Sequence, residues 1–294
     1  MYLFNKIEEM SIIYNDSRRS IGEFLLNNRA EIHEYTMVDI AKETYTSKAS
    51  LVRFAQQLGY SGWKEFIYEY IHETVHNLSE SENYVNPDFP FKNEDDTSKI
   101  IENISLLQIQ SIQETVSNLE IKDVEKAAKI LLNSNRIAIL GNIPNSYYGE
   151  IFKRKLLSLN KSASVYQRGE SGIVSLNYTK NDCVILISYS GNNEKSDPIR
   201  NIKYLKQNNV PIIAITSKGE NFLSINATVT LQIGGIERLT NKISSFSSEQ
   251  SILTILNILY SKLFSFHYEE NKINKINNSY LLEKNSRLSN YIDL

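Results

Sequence analysis

Five short apolar runs after Asn135 constrain this chain more than any other feature. RIAIL (136–140), ASVYQ (163–167), CVILIS (183–188), PIIAIT (211–216) and TVTLQI (228–233) are each long enough for one strand. Helical stretches separate them at about 147–159, 171–177 and 198–208, and a longer one follows at 248–267. Several runs are apolar at every position rather than at every second one. A strand of that kind is covered on both faces, as in a parallel sheet between two helical layers. The alternation predicts a three-layer α/β/α domain with a five-stranded parallel sheet.

The first 77 residues follow a different pattern. Helical periodicity predicts an all-α bundle with helices over 2–15, 17–27, 37–44, 48–58 and 63–76. Within it, TMVDIAKETYTSKASLVRFAQQLGYSG (36–62) reads as two short helices joined by a tight turn, a helix–turn–helix. Ser47 is placed to cap the second, because its hydroxyl accepts an orphan backbone N–H there. Leu51, Ala55 and Leu58 share one face, with Phe54 at its edge, while Ser50, Arg53, Gln56 and Gln57 take the opposite arc. With Ser47 and Lys48 at its start, that polar arc suits a major groove, where Arg pairs with guanine and Gln with adenine. The other boundaries follow from composition. Residues 78–98, polar and acidic with Pro87 and Pro90, read as a linker. Helices at 99–119 and 124–133, the second capped by Asp123, lead into an α/β domain over 99–268, and 269–294 is a tail.

Charge counts mildly against DNA. Residues 1–78 hold eight Lys and Arg against eleven Asp and Glu, a net of −3. Most DNA-binding domains are basic, because phosphate contacts dominate affinity. Binding then requires Lys48, Arg53 and Lys64 to be sorted onto one face and two copies to act together. The single cysteine, Cys183, lies in an apolar run and reads as a buried thiol. There is no secretory signal and no apolar run of about 20 residues, so a cytoplasmic protein without membrane contact is expected. Abundant Asn, Ile, Lys and Tyr hint at an AT-rich bacterial genome.

ISYSGNNE (187–194) lies at the carboxyl end of the third run, where open α/β sheets bind ligands. Ser188, Ser190, Gly191, Asn192 and Asn193 supply hydroxyls, amides and free backbone, which suits a phosphate. A hydrophilic strand–helix turn has the same local composition. A second loop, GNIPNSYYGE (141–150), follows the first run.

TMVDIAKE, SKASLVRF and LGYSGWKEF together closely resemble the N-terminal domain of the RpiR family. Those are bacterial transcription regulators with a helix–turn–helix domain followed by a sugar-isomerase-like (SIS) domain. Tyr45 stands where the family commonly has a small residue, and Thr46 where it has an aliphatic one. Ser-x-Ser-Gly after an apolar strand resembles the SIS phosphosugar loop, with Asn193 in place of the usual Thr. In the other loop Gly141 matches the first glycine of Gly-x-Gly-x-Ser. Ile143 replaces the second glycine, Asn145 the serine, and Ser146 matches it after a one-residue shift. The resemblance implies a homodimer or homotetramer that binds a near-palindromic double-stranded operator through Ser47, Lys48, Ser50, Arg53, Gln56 and Gln57. It also implies a phosphorylated sugar or related metabolite bound by Gly141, Asn145, Ser146, Ser188, Ser190, Gly191, Asn192 and Asn193, with no cofactor.

Two rivals remain at this stage. A phosphosugar isomerase with an accessory N-terminal domain needs a base, for which Glu170, Glu194 and Glu249 are available. A ligand-blind SIS scaffold on a DNA-binding dimer is favoured by the eroded glycine motif. HETVH (72–76) matches a zinc-protease pattern, but no third ligand follows at family spacing, so no metal is expected. His33 and His267 have no recognisable partners in sequence.

Overall fold

The computed structural model describes residues 3–29, 31–78, 84–235 and 237–286, with side chains at all of these except 74–78, 285 and 286. They fall into two compact units. The first comprises Met1–Val116, Ser217–Glu220 and Gly234–Ser251; the second comprises Ser117–Thr216, Asn221–Ile233 and Ile252–Leu294.

In the first unit the chain forms α1 (Leu3–Ile13), α2 (Ser17–Asn27), α3 (Met37–Glu43), α4 (Lys48–Gln57), α5 (Trp63–Leu78) and most of α6 (Thr97–Asn118). Local chemistry sets the helix starts. The Asp16 side chain accepts from the Arg18 N–H at α2, and Thr36 and Asp39 form a reciprocal capping box at α3. The Ser47 hydroxyl accepts from the Ser50 N–H at α4, as its sequence position predicts. Apolar faces of α1 to α5 meet in one core that includes Ile7, Ile21, Leu25, Ile40, Leu51, Phe54, Phe66 and Tyr70. Phe66 sits 5.8 Å from Phe54, edge to face, and the Tyr70 hydroxyl donates to the Leu25 carbonyl at 2.6 Å. Phe54 is therefore central to the buried face rather than at its margin, and Leu58, at the C-cap, is only half-buried.

Polar groups knit the rest of this unit together. Glu8 of α1, buried, accepts from the Leu239 and Thr240 N–H groups at 2.6 and 3.1 Å. Arg238 approaches Glu8 at 3.5 Å, and its backbone N–H donates to Asp88 at 2.7 Å. Arg29, two residues past the end of α2, approaches the same Asp88 at 3.5 Å. Glu237, fully buried, accepts from the Ser247 and Ser248 N–H groups and pairs with Lys242. The described part of the 78–98 stretch is thus packed: Val85 and Asp88 are buried, and Asn103 of α6 donates to the Pro90 carbonyl at 2.8 Å.

The second unit runs α7 (Ile121–Asn133), β1 (Ile137–Leu140), α8 (Asn145–Leu157), β2 (Ala163–Tyr166), α9 (Ser171–Asn177) and β3 (Cys183–Ile187). A 3₁₀ turn (Ile199–Asn201) leads into α10 (Ile202–Gln207), then β4 (Ile212–Ser217), α11 (Phe222–Asn226) and β5 (Val229–Ile233). Most of α12 (Phe246–Ser265) and all of α13 (Tyr268–Ser286) follow. The strands lie in the order β2-β1-β3-β4-β5. Ile137, Ile139, Cys183, Ile185, Ile187, Ile213 and Ile215 pack on one face with α7, α8 and α12. Ala138, Leu140, Val184, Leu186, Ile212 and Ala214 pack on the other with α9, α10 and α11. That is why β1 and β3 are apolar throughout and β4 is apolar up to Ile215, while edge strand β5 alternates buried and half-buried residues. Cys183 is buried, and desolvation pushes its thiol up to about 12.

Three local expectations change. The α7 helix begins at Ile121 with Glu120 at its N-cap, so Asp123 lies in the first turn, where it complements the positive end of the helix dipole instead of capping. The 198–208 helix starts as a 3₁₀ turn after Pro198, and α10 is correspondingly short. Residues 268–286 of the expected tail are helical, with Glu269 and Glu270 in the first turn and Lys284 in the last, an arrangement the macrodipole favours.

Burial in the first unit also sets a pH dependence. Desolvation raises the Glu114 carboxyl to about 7, against a smaller opposing effect of Arg29. A carboxyl whose pKa rises on folding binds more protons in the folded chain. Its contribution is complete below the ordinary value of 4.5 and is lost as pH rises through about 7. Glu114→Gln should therefore stabilise the protein at pH 8 by about 1–2 kcal/mol and give no such gain at pH 4. Urea denaturation at the two pH values measures the difference, and equal effects would contradict it.

Candidate functional site

The helix–turn–helix of the first unit presents one polar face. Leu51, Phe54 and Ala55 anchor α4 in the core. Ser47, Lys48, Arg53, Gln56 and Gln57 are exposed and Ser50 is half-exposed, so the predicted polar arc is one solvent-facing surface. The Ser47 and Ser50 hydroxyls lie 3.0 Å apart at its start. Beside it runs a groove of about 280 Å³, walled by Ser50, Arg53 and Gln57 on α4 and by Ser17 and Arg18 on α2. Arg18 is held there by Asp16 and lies over the Tyr14 ring at 3.3 Å. Lys64 is exposed at the start of α5.

The turn before α4 is tightly specified. The Tyr45 N–H donates to the Lys42 carbonyl at 3.1 Å and the Thr46 N–H to the Ala41 carbonyl at 2.8 Å. This pair of bonds is a Schellman closure of α3, with Tyr45 at the position that takes a left-handed backbone. Its φ is +53°, a conformation that costs a side-chain-bearing residue about 1–2 kcal/mol. Thr46, in place of an aliphatic residue, bonds the Thr44 hydroxyl at 2.9 Å. The departures from the family wording at 45 and 46 thus leave the turn closed by hydrogen bonds.

In the second unit the two candidate loops, 141–150 and 187–194, follow β1 and β3 at their carboxyl ends. Those strands are adjacent, with Leu140 opposite Leu186. The chain leaves β1 toward β2 on one side and β3 toward β4 on the other, so this is the switch point of the sheet, where open α/β folds bind ligands. Asn145 donates to the Ile187 carbonyl at 3.4 Å, and a side chain at Gly141 would press on that same carbonyl. Gly141, Asn145, Ser146, Ser188, Ser190, Gly191, Asn192 and Asn193 are thereby brought to one end of two neighbouring strands. Ser146 is buried in the first turn of α8, and its hydroxyl has no hydrogen-bond partner among the described residues. Ile143 is exposed.

Several of these residues also build the loop itself. The Ser188 hydroxyl accepts from the Gly191 N–H at 3.3 Å, and the Asn192 side-chain carbonyl accepts from the Phe222 N–H at 3.1 Å. The Gly191 carbonyl accepts from the Leu223 N–H at 2.9 Å. Gly191 has φ +67°, and a Cβ there would collide with Asn221 and with the Thr216 hydroxyl. Sequence reasoning missed the group that ties the neighbouring loops. Asp197, buried, accepts from the Gly169 N–H at 2.7 Å, from Asn201 at 2.6 Å and from the Ser171 hydroxyl, while its carbonyl accepts from Asn142 at 3.0 Å. The loops after β1, β2 and β3 are thus joined at one residue, the first through its backbone carbonyl and the second through its carboxylate. The only local signal is an Asp before Pro198. Thr216 and Asn221, bonded at 3.0 Å, carried none.

The carboxylates available to an isomerase are less constrained. Glu170 is exposed and accepts from the Gln167 N–H at 2.5 Å, Glu194 is exposed, and Glu249 lies in the first turn of α12. His72 stacks on Tyr68 at 6.4 Å, while the side chain of His76 lies outside the described residues.

The two units thus define a helix–turn–helix protein that also carries a sugar-isomerase-type α/β fold. The model of the helix–turn–helix domain, rpiR family, matches residues 1–77, and that of the SIS domain matches residues 130–261. The chain belongs to the rpiR family of helix–turn–helix transcription regulators with a SIS domain. An uncharacterized HTH-type transcriptional regulator of Caldanaerobacter subterraneus subsp. tengcongensis is 26% identical over 86% of this chain and 87% of its own length. The uncharacterized regulator YbbH of Bacillus subtilis is 22% identical over 90% of each. The Vibrio vulnificus NanR protein complexed with ManNAc-6P shares the fold, with TM-score 0.58 and 17% identity over 97% of this chain and 99% of that one. The sugar isomerase domain of an RpiR transcription factor from Sphaerobacter thermophilus has TM-score 0.53 at 14% identity, covering 62% of this chain and 98% of that one. Among the described residues no helix is long and apolar enough to cross a membrane.

Gly191→Ala should cost about 1–3 kcal/mol of stability, because the new methyl meets two hydrogen-bonded groups at a left-handed backbone position. Urea denaturation reads this out, and an unchanged midpoint would show that the loop yields freely.

Proposed function

We propose that this transcription regulator binds a near-palindromic operator as a homodimer or homotetramer, with α4 of each copy in a major groove. The observation that carries it is the exposed arc of Ser47, Lys48, Ser50, Arg53, Gln56 and Gln57 on a helix whose other face is locked into the core. The DNA-binding domain is assigned to residues 1–77, and sensing to the α/β domain within 99–268. The effector is a phosphorylated sugar or related metabolite at the β1/β3 switch point. Its phosphate accepts from Ser188, Ser190 and the backbone of the 188–193 loop, and its approach to the start of α8 gives the buried Ser146 hydroxyl a partner.

Effector acts through unequal affinity for arrangements that do and do not fit DNA. The segment that joins β5 to α12 supports a route for this. Its Leu239 and Thr240 amides are held by Glu8 of α1, so displacement of the segment acts on the helical bundle. Sensing is favoured over turnover because Glu170 already accepts a backbone N–H and Glu194 stands in solvent. ManNAc-6P, bound by the NanR protein of similar fold, is the first compound to try.

Arg53→Ala should weaken binding to a duplex selected from a random pool by about 1–3 kcal/mol at fixed salt. Unchanged affinity removes Arg53 from the interface. Ser188→Ala with Ser190→Ala removes two donors worth about 1 kcal/mol each, so the effector concentration for half-response should rise about tenfold or more. Ligand-free DNA binding should stay the same. If no phosphorylated sugar shifts melting or operator affinity, the α/β domain is a ligand-blind scaffold.

A further inference from the structure

We infer that Tyr45 is a DNA contact, its ring against the deoxyribose–phosphate backbone beside the groove that α4 enters and its hydroxyl donating to a phosphate oxygen. The inference rests on the proposed operator binding and extends the contact surface beyond α4 into the turn before it.

Tyr45 is costly to the folded chain in two ways. Its backbone is left-handed, at φ +53°, where glycine is the ordinary occupant of a Schellman closure. Its ring is 98% exposed, so it buries almost nothing in return. Residues held in sparsely populated backbone regions concentrate at functional sites, and here nothing in the packing of the bundle requires the ring. The use of that ring therefore lies outside the chain.

Its position and the charge balance indicate what it meets. Tyr45 stands two residues before Ser47, the N-cap of α4, and next to Thr46, whose N–H and hydroxyl are both bonded within the turn. A closed turn presents the ring with little entropy left to lose. The 1–78 segment carries a net charge of −3, so neutral donors have more to add to its phosphate contacts than in a strongly basic domain. Neutral donors, Tyr hydroxyls among them, make such contacts and fix the register of a protein on the duplex. The aromatic body suits the sugar, and the hydroxyl suits the phosphate.

The test uses the full chain and a duplex that the wild-type protein selects from a random pool. Tyr45→Gly should melt at or above the wild-type temperature while binding that duplex about tenfold more weakly. Tyr45→Phe should melt as wild type and bind about threefold more weakly, since only the hydroxyl is lost. Both should leave the slope of affinity against salt unchanged, because a neutral side chain releases no counterion. Wild-type affinity in Tyr45→Gly overturns the inference. So does a Tyr45→Gly protein that melts lower or changes its oligomeric state, since the ring then holds protein and not DNA. A wild-type protein that selects no duplex removes the operator reading along with this one, and the wild-type assay alone identifies that case.

Discussion

Burial of both faces of β1, β3 and β4 is the constraint on which the second unit depends. Each of these strands sends alternate side chains into two separate apolar clusters, so each must be covered by helices above and below. Covered parallel strands need crossover connections, and the crossovers bring the strand-to-helix loops to one end of the sheet. With the order β2-β1-β3-β4-β5, the connections diverge between β1 and β3. The loops after those two strands therefore part at one shared end of the sheet, the place where open α/β folds bind ligands. The place of the proposed ligand site is thus a consequence of sheet topology before it is a matter of any particular side chain.

At that end of the sheet the residues proposed for recognition also build the loop. Ser188 and Asn192 each close a backbone bond of the loop, and Gly191 gives up its Cβ so that Thr216 and Asn221 can stand behind it. Asp197 draws the loops after β1, β2 and β3 together through four bonds, at the cost of burying a carboxylate. A buried carboxylate is tolerable only when hydrogen bonds replace its water, which these donors do. Loops held in this way can present donors to a phosphate without first being ordered by it.

The first unit relies on the same device in a different place. Glu8, Asp88 and Glu237 are buried acids that accept backbone N–H groups of residues 238–248. Glu8 and Asp88 join α1 and the stretch before α6 to a segment that lies, in the chain, between β5 and α12. Buried polar networks are directional, so a shift of the segment breaks bonds rather than sliding past them. The 237–248 stretch is thereby fixed against the helical bundle within the first unit.

All five strands, the bundle and the helix–turn–helix were legible in the sequence because they follow from periodicity and capping chemistry. The fully apolar run CVILIS is a covered strand wherever it occurs, and Ser47 caps α4 by local geometry alone. The placement of Ser188 to Asn193 at a strand end was legible as well, since they follow the apolar run that forms β3. What tertiary structure decided involves partners distant in the chain. Glu8 meets Thr240, and Asp88 meets Arg238, across separations that no pattern reports. Asp197 reads as a turn residue until Gly169 and Ser171 are folded against it. The α13 helix escaped notice because its polarity resembles that of a tail, and Phe54 moved from the margin to the centre once α5 was packed on it. Local rules act through near neighbours and are written in the sequence; burial and long-range hydrogen bonds exist only after the chain has closed on itself.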